Sequence, residues 1–157
     1  MSETRDKSRT EQAELFLMIY RSRSRIAPDQ SDAELGKILR AARSKNRALG
    51  VTGALMLYDG WFAQALEGPR PNVEGLLELI RRDPRHDAVT LKSMDRAPER
   101  VFGQWNMALV GEHGHSDIPM LATRTGIAEG EAWKTNPEQE KVLAVLRDLT
   151  RGYGIGA

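Results

Sequence analysis

Few residues in this chain of 157 have types and settings that could do chemistry, and a glutamine comes first. Gln64 lies in the stretch VTGALMLYDGWFAQALEG, Val51–Gly68, where two apolar segments flank Asp59-Gly60. Side chains alternate along a strand, so Trp61, Ala63 and Ala65 share one face and Phe62, Gln64 and Leu66 the other. Gln64 therefore sits on an apolar row. A buried primary amide carries two donors and an acceptor with two lone pairs, and each needs a partner. The plain reading is a core glutamine satisfied by backbone. Tyr20 closes the apolar run Leu15–Tyr20 and shares its side of that segment with Ser22 and Ser24. Arg21, Arg23 and Arg25 face the other way, which reads as a solvated strand end rather than a phosphate site. Asn46 stands near a helix end, where it would ordinarily cap. His86 follows Arg85 just past a second helix, as a surface histidine would. His113 and His115 flank Gly114 without a carboxylate arrangement beside them, and a loop explains them better than a metal.

The elements that must position these residues follow from patterning. Leu15–Tyr20 is a continuous apolar run rich in strand formers, expected to be central and covered on both faces. Pro28-Asp29-Gln30 is a turn, and Ser31-Asp32-Ala33-Glu34 has the form of a capping box. The helix behind it places Leu35, Ile38, Leu39 and Ala42 on one face. Lys45-Asn46 lies at its end, with Gly50 as a left-handed residue before the hairpin. Asp59-Gly60 predicts a type I′ turn, because both central residues need positive φ. Pro69-Arg70-Pro71 opens a second helix, Asn72–Arg82, with Val73, Leu76, Leu77 and Ile80 as its stripe, and Asp83-Pro84 ends it. Ala88–Met94 reads as a fourth strand. Val101–Val110 holds a fifth, with Trp105, Met107 and Leu109 on one face. Gly111–Pro137 reads as loop. Glu138–Thr150 is an amphipathic helix carrying Val142, Leu143, Val145, Leu146 and Leu149.

The order predicts an α+β fold: a ferredoxin-like βαββαβ core with a fifth strand, two helices on one sheet face and a C-terminal helix on the other. The expected organisation is a mobile tail at 1–14, a core at 15–110 and a C-terminal loop and helix extension at 111–157. Net charge is +1 with 29% charged residues, which offers no electrostatic argument for nucleic acid or an anionic membrane. There is no cysteine, so disulfides, thiolate catalysis and cysteine-ligated metals are excluded. The longest apolar run is too short to span a bilayer and no signal peptide opens the chain, so a cytoplasmic location is expected.

Five pieces in order now resemble one family. They are Tyr20-x-Ser22; Asn46 seven residues before Gly53 in NRALGVTG; Phe62-x-Gln64-x-Leu66-Glu67-Gly68; Asp83-x-Arg85-His86; and Arg100-x-Phe102-x-x-Trp105-x-Met107. Together they look like a BLUF domain, the flavin-binding blue-light sensor family, over about Leu15–Val110. The resemblance implies FAD as the usual ligand, with FMN accepted by related domains. It implies a flavin ring between the two helices with Ile38 and Ile80 on its faces and Asn46 at the pyrimidine edge. Tyr20 and Gln64 would stand beside the reactive side, and Arg85 and His86 toward the ribityl-phosphate end. Ser22, Phe62 and Asp83 join the site through the same motifs. Met107 would lie close to Gln64, with Trp105 nearby or swung outward. Lys45 is a position where the family varies, and a cation there could tune affinity or spectrum.

The residue chemistry agrees. An isoalloxazine is an apolar plane with a polar rim, and it wants aliphatic walls and a few directed amides. A phenol is neutral at pH 7, yet an excited flavin can oxidise it, and the electron-deficient phenol then sheds its proton to the nearest acceptor. An amide that rotates or tautomerises exchanges its donor and acceptor without changing net charge. The resemblance thus implies a photoreceptor in which Tyr20 donates an electron and proton and Gln64 rearranges its hydrogen bonds. The Trp105–Met107 strand would relay the change to the C-terminal segment. No output domain is recognisable, so light-dependent protein association is expected, through a homo-oligomer and a downstream partner. No enzyme activity is expected. The alternatives are an acylphosphatase-like hydrolase on the same scaffold, and a flavin-binding or interaction module without photochemistry. The hydrolase would need a phosphate-cradling loop after the first strand, where Ser22–Ala27 has no glycine.

Overall fold

The computed structural model describes residues 14–111, 116–119 and 135–151. The elements run β1 (Leu15–Ser24), α1 (Ser31–Leu49), β2 (Thr52–Tyr58), β3 (Trp61–Gly68), α2 (Arg70–Arg82), β4 (His86–Ala97), β5 (Ala108–Gly111), β6 (Ile118–Pro119) and α3 (Pro137–Thr150). One sheet takes the order β4-β1-β3-β2-β5-β6. β1 is antiparallel to both β3 and β4, and β2 is antiparallel to β3 and parallel to β5. Strands 4-1-3-2 with their two crossover helices are the ferredoxin-like core.

Apolar patterning explains the layers. Leu35, Leu39, Val73, Leu76 and Leu77 from the two crossover helices pack on Met18, Leu55, Phe62 and Leu66 on one sheet face. Val142, Leu143, Leu146 and Leu149 of α3 cover Ile19, Ala54, Ala63 and Ala65 on the other. The alternation along β3 is therefore as read, with alanines under α3 and the Phe62-Gln64-Leu66 row under α1 and α2. The β2–β3 turn has Asp59 at φ 51° and Gly60 at φ 81°, the two positive angles that a type I′ turn demands. α1 ends on Gly50 at φ 66°. A Cβ on Gly53 would fall 2.0 Å from the Ala65 carbonyl oxygen, so no larger residue fits there.

Five expectations need correction. The capping box at Ser31 does not form: a 3-10 turn at Pro28–Gln30 runs straight into α1, Ser31 is already helical and Gln30 is the N-cap. Glu34 instead lies 3.3 Å from Lys37 and 3.8 Å from Arg85. A capping box does form at α3, between Asn136 and Gln139. α2 starts at Arg70, with Pro71 in its first turn, and β4 runs from His86 to Ala97 rather than over Ala88–Met94. The fifth strand is only Ala108–Gly111, and residues 98–107 are a loop. The backbone there is drawn into other bonds: Glu67 accepts from the amides of Val101 and Phe102, and Trp105 N donates to Phe102 O at 3.0 Å. Trp105 and Met107 accordingly do not share a face. Trp105 packs toward α3, and Met107 is buried beneath α1 and α2. The short β6 had no counterpart in the sequence reading. His113, His115 and nearly all of the tail at 1–14 lie outside the described residues.

Candidate functional site

Tyr20 and Gln64 meet because β1 and β3 are paired with those two residues opposite each other. Cross-strand partners share a face. The Tyr20 hydroxyl donates to Gln64 Oε1 in a short bond. Gln64 Nε2 donates onward to Met107 Sδ at 3.4 Å. Tyr20 and Met107 are fully buried and Gln64 is 6% exposed. The partners of the buried glutamine are thus side chains, not the backbone. Burial pushes the Tyr20 phenol well above its ordinary titration range, and the negative charge of Asp83 adds to the effect. The phenol is therefore protonated at neutral pH.

Beside this chain lies a cleft of about 250 Å³ between α1 and α2. Ile38, Ala41 and Ala42 line it from α1, and Leu76, Leu79 and Ile80 from α2; Leu55 and Leu66 form its floor. The polar lining is Tyr20, Gln64, Lys45, Asn46, Asp83, Arg85 and His86. Spacing on α1 explains the shape, since 38, 41, 42 and 45 follow one another along a single face. Ala41 and Ala42 leave room where larger side chains would fill the gap. Asn46 is 2% exposed and donates from Nδ2 to Asn106 O at 2.8 Å. It is no helix cap in the ordinary sense; it ties α1 to the loop before β5.

The far end of the cleft is ionic. Arg85 holds Asp83 through Nε and Nη2, the closer contact being 2.8 Å. This bonding keeps the Asp83 carboxyl below its usual range and the Arg85 guanidinium above its own. His86 is half-buried: its Nδ1 lies 2.8 Å from Ser22 Oγ, and its ring centroid is 4.5 Å from that of Phe62. Burial lowers its pKa to about 4, against the opposing pull of Asp83, so the ring is neutral at pH 7. A free histidine titrates near 6.5. Between pH 6.5 and 4 the unfolded chain therefore binds a proton that the folded chain refuses, and stability falls as pH falls. The loss approaches about 3 kcal/mol at pH 4. Urea unfolding of the flavin-free protein at pH 7, 5.5 and 4.5 should show it, and His86→Gln should flatten the slope. Equal slopes in the two proteins would refute this assignment.

Nine of the residues singled out in the sequence line the cleft. Ser22, Phe62 and Met107 do not: all three are fully buried one layer behind it, against His86 and Gln64. Trp105 lies on the other side of the sheet. Arg23 and Arg25 are exposed, as expected of a solvated strand end, and Arg21 is half-buried. Arg21 and Arg23 lie over the Trp61 ring, 4.3 and 4.5 Å from its centroid, on the face away from the cleft. That placement removes the arginine an acylphosphatase-like site would need. The sequence reading passed over Arg43 and Asp117, which pair across 74 residues, and it quoted Glu67 only as part of a motif, without the contacts it makes to Val101 and Phe102.

A ferredoxin-like sheet with a buried tyrosine–glutamine pair beside a cleft between its two helices is the arrangement of a flavin photosensor. The profile for BLUF, sensors of blue light using FAD, matches residues 15–108, and the chain belongs to that family. Among curated relatives, the photoactivated adenylate cyclase subunit beta of Euglena gracilis is 35% identical over 99 residues, covering 62% of this chain and 12% of that protein. The blue light- and temperature-regulated antirepressor BluF of Escherichia coli (strain K12) is 35% identical over 95 residues, covering 60% of this chain and 23% of that protein. The chain thus corresponds to under a quarter of the length of either. The dark-state structure of the BLUF protein BlrB superposes with a TM-score of 0.60 at 33% identity, over 71% of this chain and 78% of that one. No helix among the described residues is long and apolar enough to cross a membrane.

Proposed function

We propose that this blue-light flavin sensor switches by exchanging the donor and acceptor of Gln64 and reports the exchange through Met107, so that light controls association with protein partners. The observation that carries the reading is the buried chain from the Tyr20 hydroxyl to Gln64 Oε1 and from Gln64 Nε2 to Met107 Sδ. The cleft fits a flavin on its own chemistry. Ile38, Ile80 and the alanines supply aliphatic walls, Asn46 and Gln64 supply amides, Lys45 brings a cation beside Asn46 that would tune affinity or spectrum, and Arg85 and His86 suit the phosphate-bearing end, with Asp83 fixing Arg85. FAD is the ligand expected, and FMN would meet the same walls and amides. When bound, the flavin supplies absorption of blue light and, once excited, an acceptor for one electron.

The residues do the rest. Among the described residues Tyr20 is the one phenol that lines the cleft, and its hydroxyl already donates to Gln64 Oε1. Loss of an electron makes a phenol strongly acidic, so the proton follows to the amide. Gln64 can then turn or tautomerise, and when the electron and the proton return to Tyr20 the amide is left exchanged, with what it presents to Tyr20 and to Met107 swapped and net charge unchanged. No substrate is consumed, so the response is a rearrangement and not a turnover. Met107 passes it to the loop 98–107, whose Val101 carbonyl accepts from Gln139 Nε2 of α3 at 3.1 Å. This route replaces the continuous strand expected from the sequence. The output is association, in a homo-oligomer or with a downstream protein partner, in the cytoplasm and without nucleic acid or membrane. The core is 15–110 and the segment from 111 onward carries the output.

Illumination tests the reading. Purified protein should be yellow with non-covalently bound flavin, released by acid or heat, and blue light should move the flavin band reversibly to the red. A colourless protein that refuses added FAD and FMN would overturn it, as would a yellow protein with no light-induced shift.

A further inference from the structure

Helix α1 grips the chain that carries Met107. Arg43, Asn46 and Arg47 stand at i, i+3 and i+4 and so share a face. Asn46 Nδ2 donates to Asn106 O at 2.8 Å, and Arg43 Nε donates to the next carbonyl, Met107 O, at 3.0 Å. Arg47 Nε reaches Asn106 Oδ1 at 3.4 Å. The second arm of Arg43 is fixed as well: Nη2 donates to Asp117 Oδ2 at 3.0 Å. Asp117 is held in turn by β5, with Leu109 N donating to Oδ2 and Asp117 N donating to Leu109 O, both at 2.8 Å. One guanidinium therefore joins α1, the Met107 peptide and the β6 side of the sheet.

We propose that Arg43, braced by Asp117, is the positioning residue for the Met107 sulfur and thereby sets how long the exchanged arrangement of Gln64 survives in the dark. The proposal rests on the reading of Gln64 as the switch. A thioether accepts a weak hydrogen bond and donates none. Placed at 3.4 Å from Nε2, it favours the amide orientation with NH₂ toward it. Exchange turns an oxygen or a lone pair toward the sulfur, and two acceptors then face each other with no proton between them. Methionine is flexible and would swing away from such a contact. Fixing its peptide limits that escape and penalises the exchanged state. Arginine suits the task because its planar fork serves two partners in one geometry, which lysine does not.

Wild type is compared with Arg43→Ala, Arg43→Lys, Asp117→Asn, Met107→Ala and the Arg43→Ala/Met107→Ala double variant, with Arg70→Ala as an exposed charge control. Each is measured for flavin affinity, light-induced shift and rate of dark return. Arg43→Ala should keep flavin affinity within about threefold and keep the red shift, while dark return slows at least fivefold. Arg43→Lys and Asp117→Asn should fall between, and Arg70→Ala should match wild type. In the Met107→Ala background Arg43→Ala should slow the return no further, because coupled residues are not additive. In flavin-free protein labelled at methionine methyls, Arg43→Ala should move or broaden the Met107 signal and leave in place that of Met56, which is buried with the α3 residues on the other sheet face. Unchanged or faster return in Arg43→Ala, the same slowing with Met107 absent, or an unmoved Met107 methyl would each overturn the proposal. A wild type that ignores light while its Met107 methyl still responds to Arg43→Ala sinks the switch and leaves the clamp. A normal photocycle with an unmoved methyl does the reverse.

Discussion

Gln64→Leu should bind flavin as wild type does and show no reversible red shift. Leucine approximates the size of the glutamine and fills the same place between Phe62 and Leu66, so the cleft keeps its wall. What disappears is the acceptor for the Tyr20 hydroxyl and the donor to Met107 Sδ. The loss of response should be complete, not partial, since leucine has nothing to exchange. Absorption spectra before, during and after blue illumination measure it directly, and a wild-type-like reversible shift in the variant would rule Gln64 out as the switch. Tyr20→Phe should lose the response for the complementary reason. Phenylalanine is a poor electron donor and has no hydroxyl proton to give.

Stability adds a second arm to the same test. Gln64→Leu strands the buried Tyr20 hydroxyl, and Tyr20→Phe strands Gln64 Oε1; each should cost about 1–3 kcal/mol in urea unfolding. The Tyr20→Phe/Gln64→Leu double variant removes both members of the bond and should be less destabilised than the sum of the two singles. Strict additivity would mean that the bond is not formed in solution.

What could be read in the sequence was what is periodic or local. The β3 alternation put Gln64 on the correct face, Asp59-Gly60 marked its turn, and Leu35/Leu39 and Val73/Leu76/Leu77 marked the helix faces that cover it. Ile80 and Ile38 could be placed by the same stripes. Residues 101–107 failed for a physical reason: Trp105, Met107 and Leu109 alternate like a strand, but tertiary bonds to Glu67 claim the amides at 101 and 102 before a ladder can. Ser31-x-x-Glu34 is likewise a sound local pattern overridden by the turn that precedes it. Trp61 shows the limit from the other side. Its stacking with Arg21 and Arg23 follows from β1–β3 register, which pairs Arg23 with Trp61, and register between residues 38 or more positions apart has no single-sequence signature. The Arg43–Asp117 pair is 74 residues apart and is invisible for the same reason.

Glu67 carries the largest stability effect expected outside the cleft. It is fully buried on β3, on the face opposite Gln64 and Leu66, where a carboxylate would be costly if left alone. It is not alone. Oε1 accepts from Thr52 Oγ1 at 2.9 Å and from Phe102 N at 2.8 Å, and Oε2 accepts from Val101 N in a short bond. Arg100 brings positive charge to the same corner, donating to Thr52 Oγ1 at 2.9 Å and to the Glu67 carbonyl at 3.2 Å. One side chain thus ties the loop that leads to Trp105 and Met107 onto the hairpin that carries Gln64. Glu67→Ala leaves these donors unsatisfied together, and the expected loss is on the order of 4 kcal/mol, a large part of the 5–15 kcal/mol typical of a domain. Glu67→Gln retains one acceptor but turns an NH₂ toward a donor, so about half that loss is expected. Urea unfolding gives the ordering wild type, Gln, Ala. If Glu67→Ala does not fold, Glu67→Gln alone decides the matter: its Val101 and Phe102 amides should exchange at least tenfold faster than in wild type, while those of β1 and β3 far from the loop stay protected. A change under about 1 kcal/mol in Glu67→Ala, or unaltered exchange at Val101 and Phe102 in Glu67→Gln, would show that the loop is held by something other than this carboxylate.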